Sequence, residues 1–316
     1  MSAGVGAGAG VGVISTLPNP TLADVEALAR EAERAGADWL GVPDAFWWRD
    51  TWLLAAAAAR ATTTLAIGPV VTNPYLRHPF HTLAAVGTLQ ELAGPERVLL
   101  GLAAGGSEIG VAARVDRRDA PARIVDLVSL LRDVAGGAPL DPESGRTLEV
   151  PLRAPRVLVA GRAPKLLAAG GAVADDVLLW SVPRSELASS AAGVAAGGGA
   201  GLIWAPLLVD EDLDAAVAAP PGEAGYVVLN SRPETRRAWG VDDALAAEVR
   251  RGLVAGERVE GLVPEAALRD VLVSLAARDE ARELYGSVGA RGIAVAAPTL
   301  GAVAPRVAWA RDVLAA

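Results

Sequence analysis

The sequence predicts an α/β fold of the (β/α)8, or TIM-barrel, type. Short apolar runs alternate with helix-patterned segments about eight times, which implies parallel strands joined by right-handed crossovers. The length, 316 residues, suits eight such units closing on themselves. The first strand–helix turn also lacks G-x-G-x-x-G, the fingerprint of the competing open, doubly wound sheet. The spaced glycines at 5–12 precede a strand rather than follow one. An irregular insertion after the fourth helix and a helical region before the last strand interrupt the rhythm. The chain reads as one domain, 1–316.

The elements follow in order. Residues 1–12 are rich in Gly and Ala and carry no Lys or Arg, unlike a secretory leader with its basic end. They read as a disordered lead-in to a strand at 11–15. A turn rich in Pro and Asn opens an amphipathic helix at 22–35, stopped by Gly36. Strand 39–42 ends at Pro43-Asp44, and helix 51–61 leads to strand 64–71. Helix 80–93 is stopped by Gly94-Pro95. Strand 97–102 ends in Ala103-Ala104-Gly105-Gly106, and helix 120–135 follows. Residues 136–155, rich in Gly, Pro and Asp, read as a long loop or small hairpin. The rhythm resumes with strand 156–160, helix 164–173, strand 177–181, helix 183–196 and strand 201–209. Residues 210–283 are helical and irregular. Strand 292–297 and helix 303–315 close the chain.

Composition narrows the function. There is no cysteine, which excludes disulfides, thiolate nucleophiles and Cys-based metal sites. Two histidines, three positions apart, argue against a His-rich metal centre. A net charge of −8 argues against nucleic acid as partner, because phosphate binding needs a basic face. Every long apolar run is broken by Gly, Pro or charge, which argues against a membrane span. The aromatic residues are skewed toward Trp, with eight against two Phe.

Four segments at strand carboxyl ends carry candidate chemistry, which is where parallel α/β folds build ligand sites. The first is Thr72-Asn73-Pro74-Tyr75-Leu76-Arg77-His78-Pro79. Asn73 offers an amide and Arg77 a fixed fork of donors. His78 has an ordinary pKa near neutrality. The same residues also suit a turn, a cap and a helix start, and both readings stand. The second is Gly161-Arg162-Ala163-Pro164-Lys165, at a helix start that attracts anions. There Arg162 and Lys165 add charge, and the plain alternative is a strand–helix turn with Pro at its first helical position. The third is the small loop Gly105-Gly106-Ser107-Glu108. It allows close approach to backbone and presents Glu108 as a carboxylate able to handle a proton, unless it is only a solvated loop. The fourth is Asp44-Ala45-Phe46-Trp47-Trp48, an acid with three aromatics suited to walling a planar ligand. Trp180, at another strand end, reads as wall or core.

Together these segments resemble the bacterial luciferase-like family of flavin- and deazaflavin-dependent oxidoreductases. The resemblance is carried by GPVVTNPYLRHP and by AGRAPKLLAAGGAVADDVLL. The first is similar to its counterpart in the branch of methylenetetrahydromethanopterin reductase, which uses coenzyme F420. The second resembles the family's phosphate-binding strand–helix unit. The resemblance implies a barrel with the cofactor ring at its carboxyl end and a non-prolyl cis peptide at Val70-Val71. It implies Val70, Val71, Thr72 and Asn73 along the ring, with Gly105, Gly106 and Ser107 close by. It implies Gly161, Arg162, Ala163 and Lys165 near the phosphate, and a homodimer in the cytoplasm. Two departures stand out: Ala45 replaces a histidine common in the family, and Val70 stands where relatives often have Gly.

The expected activity is hydride transfer between F420 and a small organic substrate. Glu108, Asp44 and then His78 are the candidate proton-handling residues, and Trp47, Trp48 and Trp180 the substrate wall. An FMN-dependent monooxygenase and a non-catalytic flavin-binding relative are the alternatives.

Overall fold

The structure, a computed structural model, describes residues 10–45, 47–106 and 113–315. Its strands are β1 (Gly10–Ser15), β2 (Trp39–Val42), β3 (Ala66–Pro69), β4 (Leu99–Ala103), β5 (Arg156–Ala160), β6 (Asp176–Trp180), β7 (Gly201–Ala205), β8 (Leu207–Val209), β9 (Leu272–Ser274) and β10 (Gly292–Ala297). Eight of them form one parallel sheet in the order β3-β2-β1-β10-β7-β6-β5-β4. Bridges Ile67–Val98 and Thr72–Leu102 join its two ends, so the sheet closes into the expected barrel.

Helices α1 (Leu22–Arg34), α2 (Thr51–Ala61), α3 (Pro79–Ala93), α4 (Ala120–Ala135), α5 (Pro164–Val173) and α6 (Arg184–Ala195) follow the first six strands. The expected strand at 201–209 is split by Pro206, which has no N–H to continue a ladder. Its second half, β8, leaves the barrel and pairs with β9. Between those two strands runs a helical excursion: α7 (Leu213–Ala218), α8 (Ala224–Asn230), α9 (Pro233–Ala238), α10 (Asp243–Ala255) and α11 (Glu265–Val271). It has its own apolar cluster around Val227, Val228, Trp239 and Leu268. The chain returns through α12 (Arg278–Val288) and ends in α13 (Val303–Leu314).

Alternation along each strand sorts side chains between two cores. Val13, Leu40, Ile67, Leu100, Val159 and Val295 face the helices. Ile14, Trp39, Leu99, Leu158, Leu178, Ile203 and Ala294 fill the barrel. The interior is packed by pairing large with absent side chains. Trp39 lies so close over Gly12 that a Cβ there would fall 2.0 Å from its ring.

The β3–β4 closure is irregular in a way that places the site. Between the two bridges four residues lie on the β3 side and three on the β4 side. The extra residue makes a bulge, and the Val70-Val71 peptide within it is cis, as the resemblance implies. Val70 keeps its side chain where relatives often have Gly, because its neighbours are the glycines. A Cβ on Gly41 would come within 2.5 Å of the Val70 Cβ, and one on Gly101 within 3.0 Å of its Cα.

The amino end of the barrel is closed by charge. Asp176 is fully buried; its Oδ2 accepts from Arg156 at 2.6 and 2.9 Å, and its Oδ1 from Arg291 at 2.6 Å. The carboxyl end is thereby left as the open rim.

Candidate active site

The bulge brings the ends of β2 and β3 together. Val70 N–H donates to the Val42 carbonyl at 2.8 Å, and Asp44 N–H donates to Val71 at 3.3 Å. Thr72 is buried and pinned in the ladder, donating to Gly101 and accepting from Ala103, both at 2.9 Å. Its hydroxyl donates to Asp44 Oδ2 at 2.6 Å. Burial raises the Asp44 pKa and the negative charge of Asp50 adds to the rise. The Thr72 hydrogen bond and Arg77 pull the other way without cancelling it. Asp44 is thus a carboxyl that keeps its proton to higher pH than an ordinary aspartate, at the mouth of the barrel.

The rest of the polar cluster after β3 is committed to building the loop. Asn73 Oδ1 accepts from Tyr75 N and Leu76 N, both at 3.1 Å, which turns the chain on itself. Arg77 pairs with Asp50 at 2.6 Å, and Asp50 in turn caps α2 through the amides of Trp52 and Leu53. His78 is exposed and caps α3: Nδ1 accepts from Phe80 N at 3.3 Å, and the ring sits edge-on to Phe80. The structure therefore uses His78 as a helix cap. Among the described residues, Thr72 is the member of this cluster that hydrogen-bonds another candidate catalytic group.

The β5–α5 turn corrects the expectation for Arg162. Its guanidinium does not stand free for an anion. Nε and Nη2 donate to the Trp180 carbonyl at 3.2 and 2.9 Å, Nη2 to Ser181 at 2.7 Å, and Nη1 to Val227 at 3.1 Å. Desolvation pulls its pKa down to about 10, opposed by the charge of Glu186, so it stays protonated at neutral pH. Gly161 and Ala163 do frame a helix start without a side-chain cap, with Pro164 at the first position. Lys165 is exposed beside it.

Gly105 and Gly106 lie half-buried after β4, Gly105 with a φ of +73°. The Gly105 carbonyl accepts from Arg117 Nη1 at 2.5 Å. Ser107 and Glu108, and Phe46 on the neighbouring loop, lie outside the described residues. Trp47 and Trp48 stand on the rim, 48% and 36% exposed. Trp180 instead packs against the barrel-interior cluster. Two contributors were not anticipated. Arg117 sits twelve residues beyond the loop it pins, and no local pattern announces that. Thr16, just past β1, has its hydroxyl buried without a partner among the described residues. A polar residue immediately after a buried strand was the available signal. Among the described residues, no group of three or more His, Cys, Asp or Glu is placed to hold a metal. No helix among them is long and apolar enough to cross a membrane.

Comparisons with known proteins agree with this geometry. The sequence model described as luciferase-like monooxygenase matches residues 1–202. A 5,10-methylenetetrahydromethanopterin reductase of Archaeoglobus fulgidus is 26% identical over 255 residues, covering 76% of each chain. The enzyme of the same name from Methanolobus tindarius is 22% identical, covering 77% of this chain and 79% of its own. Among solved structures, the coenzyme F420 dependent tetrahydromethanopterin reductase of Methanopyrus kandleri superposes with a TM-score of 0.78 at 19% identity. That match covers 93% of this chain and 96% of the other. An F420-dependent secondary alcohol dehydrogenase, in complex with an F420–acetone adduct, gives a TM-score of 0.73 at 20% identity, over 96% of this chain and 98% of its own. The barrel, its β3 bulge and the match over residues 1–202 lead to one conclusion: the chain belongs to the luciferase-like monooxygenase family.

Proposed function

We propose that this protein is an oxidoreductase that moves a hydride between coenzyme F420 and a small organic substrate. The observation that carries the reading is the Asp44–Thr72 pair, a carboxyl with a raised pKa on the rim of a barrel two of whose solved neighbours are F420-dependent.

The chain's own groups fit a planar, phosphate-bearing cofactor. The start of α5 has free-standing dipole character and no side-chain cap. The β4 end offers small residues that let a ring approach the backbone. The orphaned Thr16 hydroxyl is a donor in search of an acceptor at the same rim. Gly161, Ala163 and Lys165 would hold the phosphate, and Val71, Thr72 and the Gly105–Gly106 backbone would line the ring. In its reduced form, bound F420 would supply the hydride and react poorly with oxygen, and that chemistry is the cofactor's.

The remaining work belongs to side chains. Reduction of a C=O or C=N group needs a hydride at carbon and a proton at the heteroatom. Asp44 would deliver that proton, and Thr72 would donate to the carboxylate left behind and fix its orientation. Trp180 and the rim tryptophans keep water from the reacting atoms. Glu108, five positions beyond the end of β4 in sequence, is the second candidate for the proton.

The test is a titration of the purified protein with F420 and, separately, with FMN, followed by fluorescence. F420 binding with weak FMN binding supports the proposal. FMN binding alone points to the monooxygenase reading, and no binding of either to a non-catalytic relative. Asp44→Asn then lowers turnover about 10²-fold or more at little cost in cofactor affinity. Full turnover by that variant overturns the role of Asp44, and the parallel Glu108→Gln variant tests the second candidate. We also expect a homodimer, which sedimentation equilibrium checks.

A further inference from the structure

Among the side chains that tie the helical excursion between β8 and β9 to the barrel, the half-buried Arg162 does so from the β5–α5 turn. Arg162 reaches three carbonyls distant in sequence: Trp180 and Ser181 at the end of β6, and Val227 inside α8. Ser181 is itself in the left-handed region, with a φ of +44°. All three guanidinium nitrogens are engaged, which only a planar fork of donors achieves. A buried group continues the connection. Glu186 on α6 is 2% exposed. Its Oε1 accepts from the backbone N–H of Arg232 at 3.1 Å, just beyond α8, and its Oε2 lies 3.7 Å from Arg232 Nε. Arg232 Nη1 also donates to Ser189 at 2.9 Å.

We propose that Arg162 is a positioning residue that locks α8 to the β5 turn and the β6 end, so that the cofactor-facing turn and the helical wall move as one body. The lock deepens the F420 reading and rests on it only for the claim that the turn faces the cofactor. A guanidinium devoted to carbonyls contributes no direct charge contact to a phosphate. It acts by holding Gly161 and Ala163 in place on one side and α8 on the other. Arginine adjacent to an anion-binding turn is then a fastening, and lysine cannot replace it, because a single ammonium cannot span three carbonyls on two elements.

The test compares the parent with Arg162→Lys, Arg162→Ala and Arg232→Ala. F420 affinity is measured at low and high ionic strength, and amide hydrogen exchange is followed across the chain. Both Arg162 variants are expected to bind F420 roughly tenfold more weakly. Lysine should give no rescue, and the salt dependence should stay that of the parent. Exchange over residues 224–231 should rise roughly tenfold or more while β1–β4 hold their protection. Arg232→Ala should raise exchange over the same stretch with Arg162 intact, which keeps the test alive if an Arg162 variant does not fold. Parent-like affinity in the lysine variant, or a flattened salt dependence in the alanine variant, would overturn the proposal, since either marks a direct charge contact. A parent that fails to bind F420 overturns the cofactor reading instead. The exchange arm then decides the lock alone: faster exchange over 224–231 supports it and unchanged exchange sinks it.

Discussion

Glu33 fastens the base of the strand that carries the site. It sits in the last turn of α1, where a negative charge is disfavoured by the helix dipole. Its reason for being there lies across the gap. One oxygen, Oε1, accepts from Thr63 N at 2.8 Å, Thr64 N at 2.6 Å, Thr64 Oγ1 at 2.8 Å and Leu65 N at 3.2 Å. These are the residues that lead into β3. Burial pushes the carboxyl up, but the bonds from Thr64, Thr63 and Leu65 outweigh it and bring the pKa from 4.5 to about 2. At about 1.36 kcal/mol per pH unit the ceiling is about 3.4 kcal/mol. Water reaches this carboxyl, and screening reduces the expected effect to about 2 kcal/mol. Because the folded value lies below the unfolded one, the stabilisation is complete above about pH 4.5. It drains as pH falls toward 2, with more than half gone by pH 3. Glu33→Gln should therefore cost about 2 kcal/mol at pH 7, or about 3 °C in Tm for a chain of this size, and distinctly less at pH 3. Urea unfolding of both proteins across that range is the assay. An equal cost at pH 7 and pH 3 would refute the electrostatic account, and a cost below about 0.5 kcal/mol at pH 7 would refute the clamp.

Three further outcomes follow from contacts already described. Asp176→Leu leaves Arg156 and Arg291 facing each other without their shared carboxylate and should cost about 3 kcal/mol by calorimetry; a neutral result would show that the two cations are solvated. Thr72→Val removes a hydrogen bond that lowers the Asp44 pKa, so the alkaline limb of the kcat–pH profile should move to higher pH; a downward move contradicts the assignment. Gly41→Ala should cost about 1–3 kcal/mol by crowding the Val70 Cβ, and adding Val70→Gly, which removes that Cβ, should recover part of it; no recovery would mean that the strain lies elsewhere.

The barrel was legible because strands buried on both faces leave apolar runs, and eight such runs alternate with helices. Where the physics is less local, the reading was coarser. Residues 201–209 form one apolar run, and only the missing N–H of Pro206 divides it between the barrel and β8. The small β8–β9 ladder joins segments separated by five helices, and nothing in either three-residue strand announces the other. Arg162 shows a different limit. An arginine at a helix start looks the same whether it meets a phosphate or three carbonyls. The choice depends on Trp180, Ser181 and Val227, the last of them 65 positions away.

The eight-residue cluster after β3 shows how a polar concentration can mislead about which member matters. Asn, Arg, His and Pro are each explained by the corner they build: a side-chain-capped turn at Asn73, an ion pair onto the α2 cap at Arg77, a helix cap at His78 and a first helical position at Pro79. Thr72 is the least conspicuous member, yet among the described residues it is the one that hydrogen-bonds the Asp44 carboxyl. That pairing follows from register. β2 and β3 run parallel with Val42 opposite Pro69, so the chain just past each strand end must share one stretch of rim. The one-residue bulge before Thr72 then sets it in the ladder opposite Leu102 rather than opposite Ala103, one step beyond. A threonine displaced by one position would turn its hydroxyl away from Asp44. The bulge, more than the polarity of the residues after it, is what makes this corner of the barrel chemically competent.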